Sequence, residues 1–147
     1  MIILKSQNEI EYIRQACRLT ADTLTQLIAA AKPGITTLEL DQIAEEYIRS
    51  HGGVPSCKGY YGFPATICAS VNEEVVHGIP SAKRKLKHGD ILSIDLVSSV
   101  NGYHGDSCVT VPIGHVKPKV HQLLKVTEES LFKGIEQAVV GNRVGDI

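Results

Sequence analysis

Little in this 147-residue chain is extreme, and its shortages narrow what it can be. With 15 Lys and Arg against 16 Asp and Glu, the formal net charge is -1, so there is no basic field to attract nucleic acid or an anionic membrane. No apolar run approaches the length that spans a bilayer. The amino-terminal MIILKSQNE has four apolar residues and then turns polar, without the basic start, long apolar stretch and small-residue cleavage site of a secretion signal; cytoplasmic residence is expected. The four cysteines, Cys17, Cys57, Cys68 and Cys108, form no Cys-x-x-Cys pair and are too few to staple a chain this long, which fits free thiols in a reducing compartment. Low-complexity segments and linkers are missing as well. The length suits one domain with a real core.

The elements are legible from caps and periodicity. Ser6 and Glu9 form a capping-box pattern, and Ile10, Ile13, Cys17, Leu24, Leu27, Ile28 and Ala31 follow at helical spacing until Lys32-Pro33-Gly34. Thr36 and Glu39 repeat the box, with Ile35 and Leu40 at hydrophobic-staple positions, so a second helix is predicted to about His51, where Gly52-Gly53 ends it. Residues 54–80 are rich in Gly, Pro and aromatics with a short strand near Ala65 to Val71, the kind of segment that lines sites. After the basic turn SAKRKLKHGD comes a hairpin, and Pro118 then opens a third helix through Val139, closed by Gly141-Asn142. The final RVGDI places Asp146 where it could cap another helix, so the chain is expected to be a fragment.

The hairpin ILSIDLVSSV-NG-YHGDSCVTV carries the strongest chemical signal. Asn101-Gly102 suits a type I′ turn, whose two central residues need positive φ. If Val100 faces Tyr103, then Val97 faces Asp106 and Asp95 faces Cys108. Asp95 and Asp106 become diagonal neighbours on one face, about 7–8 Å apart at the backbone, near enough for both carboxylates to converge on a cation. Leu92, Ile94 and Leu96 make the opposite, core-facing side. Acids on a solvated strand face or in salt bridges are a common alternative. His104 shares the acidic face opposite Ser99, Glu73 and Glu74 would point to opposite sides of a strand, and His115 and His121 belong to the surface.

GYYGFP, ICASVNEEVVHGIP, SIDLV and NGYHGDS, in this order and at these intervals, resemble type I methionine aminopeptidase over essentially the whole chain. The most specific words are NE-x-x-x-HGIP and the Asp95/Asp106 hairpin. The resemblance implies an α+β pita-bread fold of two pseudo-symmetric halves, of which residues 1–147 would be the N-terminal portion of a single peptidase domain: the first half plus the first helix of the second. It implies a two-metal site that hydrolyses the initiator methionine from nascent polypeptides, with a monomeric full-length enzyme. By the same likeness Asp95 and Asp106 match metal ligands, and His77 a histidine that contacts substrate near the scissile bond. Cys57, Tyr60, Phe63 and Cys68 align with the pocket for the methionine side chain. An apolar slot of aromatics and polarizable sulfur suits a thioether. Two ions about 3.5–4 Å apart would activate a bridging water, and Mn(II), Fe(II) or Co(II) fit the ligand set, with Zn(II) compatible.

Two features depart from the family pattern. Val97 stands where many members carry a hydroxyl, and losing such a partner typically costs about 10–100-fold in metal affinity or activity. The family's remaining ligands, one His and two Glu, lie beyond Ile147, so this polypeptide alone is expected to lack appreciable activity. A noncatalytic pita-bread module that binds peptides or partners is the competing expectation. A proline-directed dipeptidase of the same fold is disfavoured by GYYGFP and HGIP.

Overall fold

The computed structural model describes residues 3–147. Its contacts divide the chain into two compact units, Met1–His115 and Val116–Ile147. In the first, Ser6 and Thr36 each accept the backbone N–H three residues on, while Glu9 and Glu39 reach back to the cap residues, so both predicted capping boxes form. They start α1 (Gln7–Ala30) and α2 (Thr37–Ser50). The short β1 (Val54–Pro55) and β2 (Ile67–Val71) precede the long hairpin of β3 (Ile91–Val100) and β4 (Tyr103–Pro112). Strand β3 is the spine of a four-stranded antiparallel sheet: β4 lies along one edge, while β2 and β1 share the other.

One face of this sheet is the core. Leu92, Ile94 and Leu96 of β3 and Ile67 of β2 are fully buried, packed in one cluster with Leu27 of α1 and Leu40, Ala44 and Ile48 of α2. The architecture is therefore α+β, as the sequence implied. The stripe α1 buries differs from the apolar periodicity, however. Cys17 and Ile28 are exposed, while Thr20 and Thr23 are buried. These threonines can sit inside because their hydroxyls are satisfied: Thr23 Oγ1 donates to the Leu19 carbonyl at 2.7 Å, and Thr20 Oγ1 donates to the Gly105 carbonyl at 2.9 Å and lies 2.7 Å from Ser98 Oγ. Glu73 and Glu74 also depart from expectation. They lie in the turn after β2, where Glu74 accepts the Val71 N–H at 2.7 Å, so strand alternation does not apply to them.

The second unit holds α3 (Pro118–Gln137), with Pro118 at its first position as expected, and a short 3₁₀ turn at Val144–Asp146. The helix stops at Gln137, slightly before the Val139 read from the sequence. None of its residues is buried. Among the described residues no helix is long and apolar enough to cross a membrane.

Candidate metal centre

The hairpin has the predicted register: Val100 pairs with Tyr103, Val97 with Asp106 and Asp95 with Cys108. Asn101 (φ 51°) and Gly102 (φ 80°) supply the two positive φ values of the tight turn. Strand alternation turns Leu92, Ile94, Leu96 and Ser98 into the core, so Asp95, Val97 and their partners occupy the other face. On that face β2 adds Cys68 directly across from Asp95. A row of Cys68, Asp95 and Cys108 therefore crosses three strands, with Asp106 diagonal to its centre.

Asp95 feels the charge of Asp106. Asp95 is half-buried, and its pKa is raised first by that burial and then by the negative charge of Asp106, with His77 acting in the opposite sense. Among the described residues neither side chain has a hydrogen-bond or salt-bridge partner, unlike Asp41, Asp90 and Asp146. Burial also pushes the Cys68 thiol up to about 11, with the Asp95 charge next in weight, and Cys57 and Cys108 are raised for the same reasons. These thiols hold their protons at neutral pH, so the carboxylates are the anionic donors on the face. Hard, repelling, unsatisfied oxygens are a chemistry that suits a divalent cation. No group of three or more His, Cys, Asp and Glu among the described residues is arranged to hold one, so the pair fits such an ion as part of a ligand set.

The loop after β1 brings Cys57 to this neighbourhood, near enough for Asp95 and Asp106 to influence its thiol. The Ser56 N–H donates to the Val97 carbonyl at 2.9 Å, and Ser56 Oγ lies 3.0 Å from His104 Nδ1, so His104 is engaged in fixing the loop. A compact turn follows: the Tyr60 N–H donates to Cys57 and the Gly59 N–H to Phe63, at 3.1 and 2.8 Å. Phe63 is half-buried, whereas Tyr60 is 67% exposed and meets Tyr61 edge-on. His77 is exposed, with φ 59°. Its neighbour Gly78 lies against the outer edge of β2, accepting the Ala69 N–H at 2.8 Å and donating to Ser70 Oγ at 3.0 Å. A Cβ on Gly78 would lie 2.6 Å from the Ala69 carbonyl oxygen. His77 is thus carried next to backbone held tightly against Ala69 and Ser70 of β2. His115 and His121 are exposed, as expected.

Two contributors escaped the sequence reading. Gly105, next to Asp106, gives room for α1: a Cβ there would fall 2.5 Å from the Ala16 carbonyl carbon. Asp41 of α2 is buried and accepts the N–H groups of Thr66 and Ile67. The word NGYHGDS contains Gly105 but gives no sign of the helix, and no local pattern marks Asp41.

A profile described as Metallopeptidase family M24 matches residues 11–147. A methionine aminopeptidase of Clostridium acetobutylicum is 54% identical over all 147 residues, which cover 59% of that relative, and methionine aminopeptidase 1 of Bacillus subtilis is 52% identical with the same coverages. A crystal structure of methionine aminopeptidase from Rickettsia prowazekii superposes with TM-score 0.88 at 36% identity, covering 92% of this chain and 54% of that one. The chain spans about three fifths of the length of the curated relatives it matches. The fold is that of the pita-bread peptidases.

Proposed function

The chain belongs to metallopeptidase family M24, and from that premise we propose that it is the N-terminal portion of a methionine aminopeptidase, cleaving the first residue from nascent polypeptides in the cytoplasm as a monomer. The observation that carries this is the diagonal placement of Asp95 and Asp106, two unpaired carboxylates in one electrostatic neighbourhood with His77. These aspartates would hold two divalent ions, Mn(II), Fe(II) or Co(II) by donor preference and Zn(II) as a compatible fourth, together with ligands outside these 147 residues. The bound ions supply Lewis acidity and a water acidic enough to act as nucleophile near neutral pH.

The chain's own residues supply the rest. Cys57 and Cys68, kept as neutral thiols, offer soft contacts beside the acids, and Phe63 and Tyr60 complete an apolar wall for a methionine side chain. A charged pocket would reject that thioether. His77, on the backbone pinned to β2, donates a hydrogen bond to the scissile amide or to the oxyanion that develops from it. Its exposed ring lets substrate approach from the open side of the sheet.

The test uses Met-Ala-Ser hydrolysis with added Mn(II) or Co(II). The product of the whole reading frame cleaves the peptide, and the 147-residue polypeptide alone does not. Asp95→Asn and Asp106→Asn in the longer protein each lower activity by about 100-fold or more, at or above the range of partners that only orient ligands, and abolish the rise in Tm on adding Mn(II). Metal-independent cleavage would refute this assignment. An inert long protein that still binds peptides would favour a noncatalytic module instead, the reading to which Val97 opposite Asp106 lends support.

A further inference from the structure

Asp41 and Glu45 lie one turn apart on α2 and contact opposite ends of the same loop. Asp41 is 5% exposed, and a carboxylate so buried is costly unless hydrogen-bonded. Its Oδ1 accepts from Thr66 N–H at 2.8 Å and from Ile67 N–H at 2.9 Å. Ile67 opens β2, and the next residue is Cys68, paired with Asp95. The outer edge of β2 has no strand to bond, so Asp41 serves the Ile67 amide as Gly78 serves that of Ala69. At the loop's other end Glu45 Oε2 lies 2.6 Å from Lys58 Nζ, immediately after Cys57, while its Oε1 takes Arg49 Nε at 2.9 Å. Tyr60 and Phe63 lie between the two tethers, and Cys57 and Cys68 flank them on either side.

We infer that Asp41 and Glu45 are positioning residues that set substrate specificity, α2 acting as a rigid jig for the loop walling the pocket beside the paired aspartates. The inference rests on the proposed function for the identity of the substrate. Neither residue touches the acids or the substrate. Both act through where they put Cys57, Phe63 and Cys68, so disturbing them changes the fit of the side chain being recognised and leaves the reacting centre in place.

The experiment uses the product of the whole reading frame with Mn(II), comparing Met-Ala-Ser with Leu-Ala-Ser. Asp41→Ala raises KM for the methionine peptide by about 10-fold, the scale of one misfitted apolar contact, with kcat changed by less than about 3-fold, and narrows the preference for methionine over leucine. Asp41→Asn keeps the Oδ1 acceptor and restores KM to within about 3-fold of the parent. Because Asp41→Ala leaves two buried N–H groups without partners, Lys58→Met on the half-exposed tether gives the same test in a fold not at risk. It raises KM by about 3-fold, and the Lys58→Met/Glu45→Ala double variant goes no further than Lys58→Met, as expected of one tether. In all of them the Mn(II) dissociation constant, measured by calorimetry, stays at the parent value. Folded variants with parental KM and parental selectivity would overturn the inference, as would a kcat loss accompanied by weaker Mn(II) binding. A parent that leaves Met-Ala-Ser uncut refutes the proposed function first and removes this inference with it.

Discussion

Gly105 has no side chain because the backbone of α1 occupies the space. Ala16 and Cys17 pass so close that any Cβ would overlap main-chain atoms, which cannot swing aside as the end of a long side chain can. Gly105→Ala is expected to cost about 1–3 kcal/mol, the usual range for overpacking, measured by urea denaturation. It should also lift Asp106 away from Asp95, because the residues are adjacent on β4. Gly102→Ala is the contrasting control. Nothing lies within 4 Å of its Cβ position, and only its positive φ is at stake, so its cost stays near 1 kcal/mol. The turn glycine could be read from Asn-Gly alone, because a two-residue loop has few solutions. Gly105 could not, because the helix that needs it begins far away in sequence. Asp41 was hidden for the same reason: its partners, the N–H groups of Thr66 and Ile67, meet it only when α2 packs beside β2.

The two helices share one capping device in different settings. Ser6 begins α1 at an exposed end, whereas Thr36 is 7% exposed and also bridges Lys85, so the start of α2 is built into the fold. Thr36→Ala should therefore cost about 1–2 kcal/mol and Ser6→Ala about 0.5 kcal/mol, within the range for lost N-caps, a difference that chemical denaturation resolves. A reversed order would mean that α1 frays less than its exposed first turn suggests. Cap patterns were legible at this scale because they are local, with donor and acceptor three residues apart. The buried face of α1 was less so. Apolar periodicity favoured Cys17 and Ile28 over Thr20 and Thr23, and only the hydrogen bonds to Ser98, Gly105 and Leu19 make two threonines suitable core residues.

At the scale of the molecule, the cluster of buried apolar residues runs from Leu19 to Ile113, wholly inside the first unit. A polypeptide of residues 1–115 should therefore unfold cooperatively in urea, followed by circular dichroism and fluorescence with coincident transitions. Residues 116–147 made as a peptide should show little helix in water, since a 20-residue helix without buried residues depends on marginal intrinsic propensity. A broad, noncoincident transition for 1–115 would show that its core is insufficient. The fold class and the register of the acid-bearing hairpin could be read at this scale because both are written in short words such as NGYHGD and HGIP. The hairpin by itself does not tell how many donors a site would need; the expectation of further ligands comes from the family likeness alone, and these residues cover about three fifths of the length of their relatives.

Strand β3 is held on both edges, by β4 along its whole length and by β2 and β1 on the other side, so it cannot slide relative to its neighbours. Such a strand acts as a phase reference for insertions and deletions. One residue gained or lost in β4 between the turn and Asp106 would reverse every later side chain, sending Asp106 toward α1 and Ser107 outward. Length variation in descendants of this sequence should therefore gather beyond Pro112 or in the basic turn, while the spacing from Asp95 to Asp106 stays constant.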